Sequence, residues 1–69
     1  MKKMNQILEE LVQSKKQVSV NFPAPQGTKL ISASGIITEV GEDYFILTDI
    51  YGNTMLMPIL AISFIEIKK

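Results

Sequence analysis

Residues 29–40 read Lys-Leu-Ile-Ser-Ala-Ser-Gly-Ile-Ile-Thr-Glu-Val, and this stretch decides the fold. It is long for a strand in a chain of 69 residues, and its middle is small: Ser32, Ala33, Ser34 and Gly35. Glycine inside a strand marks a bulge or a sharp bend. A strand bent there can serve both halves of one small barrel.

Downstream, Gly41-Glu42-Asp43 makes a tight turn into a strand over 44–50, and Tyr51-Gly52-Asn53 makes a hairpin turn into a strand over 54–57. Glycine and asparagine suit such turns because they tolerate positive φ. Pro58 lacks the N–H a ladder needs, so it breaks the pairing. Ile59-Leu60-Ala61 is then a short connection to a last strand over 62–67. Upstream, Pro23-Ala-Pro-Gln-Gly27 is a loop, and before it Val18, Val20 and Phe22 alternate with Ser19 and Asn21. Period two predicts a half-buried strand over 17–22. Met4, Ile7, Leu8, Leu11 and Val12 recur at helical spacing, with Asn5, Gln6, Glu9, Glu10 and Gln13 on the other face. That pattern predicts an amphipathic helix over 4–15, its end suited by Lys15 and Lys16. The expected fold is mainly β: an N-terminal helix, then a small, strongly bent, five-stranded antiparallel barrel, all one domain over 1–69.

Such a chain buries only about 60% of the surface its unfolded form exposes, so its core is marginal. Cysteine and histidine are both absent, which removes disulfide and zinc staples. Self-association is the staple left. An apolar content of 46% and a mean hydropathy of +0.20 agree with it, because so small an interior cannot hold that many apolar side chains. The uninterrupted apolar run 55–62 is too short to span a bilayer, and the first residues do not read as a signal peptide, so no membrane partner and a cytoplasmic location are expected.

Several segments carry a resemblance. Ile7-Leu8 through Val18-Ser19-Val20-Asn21-Phe22 is similar to the helix-to-first-strand passage of the Sm-like (LSm) family in its Hfq-like branch. Gly27-Thr28-Lys29-Leu30, Gly35-Ile36-Ile37 and Ala61-Ile62-Ser63-Phe64-Ile65 resemble the starts of its second strand, its later Gly-x-Ile and its last strand. The resemblance covers nearly the whole chain and implies a homo-oligomeric ring of six or seven copies, closed by strand four of one copy on strand five of the next. The interface residues would be Met55, Leu56, Met57, Phe64 and Ile65. Neither edge is guarded by the charges monomeric sheets use, apart from Glu66.

The departures bear on RNA. Asp43 stands near the family's acidic turn position, but no asparagine follows it. Ile59 and Leu60 replace the basic pore residues that precede the family's last strand. Seven lysines balance seven acids and arginine is missing, which argues against strong nucleic-acid affinity. The candidates for weak or altered RNA binding are Lys2, Lys3, Lys15, Lys16 and Lys29, with Tyr44, Phe45 and Tyr51 as stacking surfaces. The plainer readings are solubilising lysines and aromatics packed in the core. The competing function is a structural or protein-interaction oligomer that has lost RNA binding. A monomeric SH3-like peptide binder would leave the apolar edges unexplained. Catalysis has no histidine or cysteine to work with, and Glu39, Glu42 and Asp43 read as a solvated turn. No enzyme activity, cofactor or metal is expected.

Overall fold

The computed structural model describes residues 3–24 and 29–68. Helix α1 runs Met4–Ser14. At its start, Gln6 Oε1 accepts the Lys3 N–H at 3.1 Å. At its end, Lys15 turns left-handed (φ 56°) and its N–H donates to the Leu11 carbonyl at 3.0 Å, so the helix stops at Ser14, one residue before the expected limit. Five strands follow: β1 (Gln17–Pro23), β2 (Leu30–Val40), β3 (Tyr44–Thr48), β4 (Thr54–Pro58) and β5 (Phe64–Ile67), with a 3-10 turn at Ile59–Ala61 before β5. They form one antiparallel sheet in the order β4-β3-β2-β1-β5.

The long strand divides its pairing. Leu30 to Ile36 pair with β1, and Ile36 to Val40 pair with β3. Only Ile36 appears in both registers, so β2 joins two part-sheets, β5-β1-β2 and β2-β3-β4. Gly35 makes that junction possible, because a Cβ there would collide with the Thr48 carbonyl. Of the bulge or sharp bend expected at Ser32 to Gly35, the bulge is not there, while the change of pairing partner falls next to Gly35, at Ile36. The β1–β2 register is regular there, and the extra residue is Thr38, between Ile37 and Glu39.

Other boundaries shift for local reasons. β3 ends at Thr48 instead of Ile50 because the Asp49 carboxylate accepts N–H groups from Tyr51 and Asn53 and folds the chain into a turn. Pro58 is the last residue of β4, opposite Tyr44, and does not break the pairing. β5 begins at Phe64, two residues later than expected. Residues 25–28, which include most of the expected proline loop, lie outside the described residues, as does Lys2.

The core is Leu8 and Leu11 of α1 against Val18 and Val20 of β1, Ile37 of β2, and Phe45 and Leu47 of β3, all buried. The other face of β1 is buried too. Ser19 Oγ shares a hydrogen bond with Ser34 Oγ at 2.8 Å, and Ser32 Oγ donates to Asn21 Oδ1. Among the described residues no buried side-chain polar atom lacks a partner, as the cost of burying one unpaired requires. Asn5 Nδ2 donates to the Glu42 carbonyl at 2.8 Å, tying α1 to the β2–β3 turn. No helix among the described residues is long and apolar enough to cross a membrane.

Candidate functional site

The sheet order leaves β4 and β5 as its two ends. In an antiparallel ladder alternate residues aim both N–H and C=O at the neighbour, and the residues between aim theirs away. The Asp49 N–H donates to the Asn53 carbonyl and the Ile59 N–H to the Asp43 carbonyl, both at 2.9 Å and both in the β3–β4 register. Met55 and Met57 therefore face β3 with their backbone groups, while Thr54 and Leu56 point theirs off the sheet. Pro58 shares that outward phase, where its missing N–H costs the sheet nothing. At the other end the Lys68 N–H donates to the Gln17 carbonyl at 2.8 Å in the β1–β5 register. The same alternation leaves Ile65 and Ile67 with outward backbone groups.

Side chains at these edges are apolar and accessible. Leu56 is 70% exposed, Phe64 and Ile67 are exposed as well, and Met55, Met57 and Ile65 are half-buried against the core. Glu66 supplies the one charge on either strand. Natural sheets guard free edges with charges, proline or very short strands, and here the guards are few: Glu66 and the shortness of β5 at one end, Pro58 at the other.

The proposed nucleic-acid residues separate into several places. Lys3 lies at the start of α1 and Lys29 at the end of the β1–β2 hairpin, where its carbonyl accepts the Ala24 N–H. Lys15 and Lys16 stand together between α1 and β1, and the Lys68–Gln17 hydrogen bond adds a third lysine to them. Lys68 was not a sequence candidate, because only the β1–β5 pairing brings it there. Phe45 is wholly buried among the core residues, so it is not available as a stacking surface. Tyr44 is half-buried, and its hydroxyl donates to Glu39 Oε2 at 2.9 Å. That bond, and the Glu39 charge behind it, raise the Tyr44 pKa above its ordinary value. Tyr51 projects from the β3–β4 turn.

Asp43 and Ile59, far apart in sequence, are neighbours through the backbone bond between them. Beside them Leu60 is 96% exposed, the extreme among the large apolar side chains described. Among the described residues, no group of three or more His, Cys, Asp and Glu side chains could hold a metal ion. No protein-family model and no curated protein matches the chain.

Proposed function

We propose that this chain is the subunit of a homo-oligomeric ring of the Sm-like kind, in its Hfq-like branch, acting as a non-catalytic binding module with weak or altered RNA affinity. The observation that carries the proposal is that the two ends of the sheet are also its apolar, weakly guarded strands. Adding β4 of one copy antiparallel to β5 of the next sets Leu56 opposite Ile65 and Thr54 opposite Ile67, matching the outward backbone groups two for two. Met57 then faces Phe64. Pro58 meets Ser63, where the ladder ends: proline has no N–H to give the Ser63 carbonyl, and the Ser63 N–H already donates to the Asn21 carbonyl at 2.7 Å. A head-to-tail contact of this kind closes when the rotation permits, here at six or seven copies around subunits bent into barrels. Each subunit would then repeat Lys15, Lys16 and Lys68, so weak phosphate contacts add by multivalency.

Size-exclusion chromatography with light scattering tests the ring, and a monomer at micromolar concentration sinks it. Fluorescence anisotropy with uridine-rich and adenine-rich oligonucleotides over a salt series tests RNA. The expected result is binding at low ionic strength that fades as salt rises, reduced by Lys15→Glu and Lys16→Glu. A specific observation favours the second reading, a protein-interaction oligomer without RNA binding: Ile59 and the exposed Leu60 offer apolar surface where the resemblance calls for cations. Absence of salt-dependent binding in an assembled protein decides for it.

A further inference from the structure

The β3–β4 turn displays two large apolar side chains, Ile50 at 77% and Tyr51 at 82% exposure. Exposed apolar residues at a loop tip are usually on a mobile segment, but this one is tied from within. Asp49 Oδ1 accepts the N–H groups of Tyr51 and Asn53, each at 2.9 Å, and Asp49 Oδ2 accepts Asn53 Nδ2 at 3.3 Å. The Gly52 N–H donates to the Asp49 carbonyl at 3.1 Å, with Gly52 at φ 85°. A rigid apolar tip loses little freedom when it docks, which is the property of an interface anchor, and tyrosine is enriched at such anchors.

We propose that the Ile50–Tyr51 tip docks on the next copy of this chain, in the groove between α1 and the end of β5. The proposal rests on the antiparallel β4-to-β5 reading. That register sets Thr54 of one copy beside Ile67 of the other, so the turn preceding Thr54 runs past the end of β5. At that place Ile7, Glu10, Leu11 and Ser14 of α1 meet Ile67 and Lys16 around a groove of about 200 Å³. Half-buried Ile7 and exposed Ile67 give the apolar surface on which the Tyr51 ring and the Ile50 side chain lie, over the buried Leu11, and the Lys16 stem extends it. The tip continues the strand contact beyond the four outward backbone residues. It converts a short ladder into an interface with buried aromatic and aliphatic anchors.

The test compares assembly of the wild type with Tyr51→Ser and Ile50→Ser. Both positions are exposed, so each variant is expected to keep the circular dichroism of the wild-type subunit. In dilution series followed by light scattering, each variant is expected to need at least about tenfold more protein to half-assemble. The chain contains no cysteine, so a second measurement is clean: chains carrying Tyr51→Cys and Ser14→Cys are mixed, co-assembled and mildly oxidised, and a mixed disulfide is expected by intact mass. Assembled protein whose dissociation is indifferent to Tyr51→Ser and Ile50→Ser, or that gives no mixed disulfide, overturns the docking and leaves the ring standing. A monomeric wild type overturns both.

Discussion

At the scale of single residues, Gly35 and Gly41 give a controlled contrast. A Cβ on either would collide with a neighbour, but at Gly35 the neighbour is the Thr48 backbone, and at Gly41 it is the Tyr44 ring. Backbone inside a ladder cannot yield without breaking pairs, whereas a half-buried ring can swing. Gly35→Ala is expected to cost about 2 kcal/mol or more in urea denaturation and Gly41→Ala clearly less; equal losses would count against the junction role given to Gly35. Asp49 predicts a pH effect. Desolvation raises its pKa, but hydrogen bonds from Asn53 N–H and Nδ2, then Tyr51 and Gly52, outweigh it, so the folded value is lowered. A folded pKa below the unfolded one, about 3.9, contributes stability above that pH and loses it as pH falls through the folded value. Asp49→Asn should therefore show a shallower acid-side decline below about pH 4 than the wild type, with the Tyr51 and Asn53 amide resonances no longer titrating.

At the scale of elements, α1 depends on the sheet as much as the sheet depends on α1. Three turns are too few to be stable alone in water, and Leu8 and Leu11 are the buried face that holds them. Leu8→Ala is expected to cost about 3 kcal/mol, enough to lower the thermal midpoint steeply in so small a domain. Persistent native circular dichroism with an unshifted midpoint would show that the helix is dispensable. This helix was legible from its 3.6-residue period, and the strands from period two, because both report which side chains meet a core. The burial of Ser19 and Asn21 was not legible, since polar residues on a strand read as a solvated face until Ser34 and Ser32 are known to sit opposite. The end of β3 was misplaced because Ile50 suits a strand by propensity while the Asp49 cap suits a turn, and the cap wins. For the candidate site, the apolar character of β4 and β5 was readable directly. Which of their backbone groups are free depends on register, and the third lysine at position 68 on strand order, and neither is written in local sequence.

At the scale of the whole molecule, the marginal core and the open sheet ends make one prediction between them. A domain this small has little stability of its own, and association that engages only the folded form stabilises it by mass action. If β4 joins β5 of another copy, thermal unfolding must depend on concentration. For a domain of this size, where 1 kcal/mol moves the midpoint by about 4–8 °C, a tenfold rise in protein is expected to raise the midpoint by on the order of 5 °C. Leu56→Lys places a guarding charge on the outward face of β4, where the wild-type side chain is exposed and contributes little to the isolated subunit. That variant should unfold at one temperature whatever its concentration, matching the dilute limit of the wild type. A wild-type midpoint that is flat with concentration would mean that the core of α1 and β1–β3 suffices alone, and that the exposed edges do not assemble.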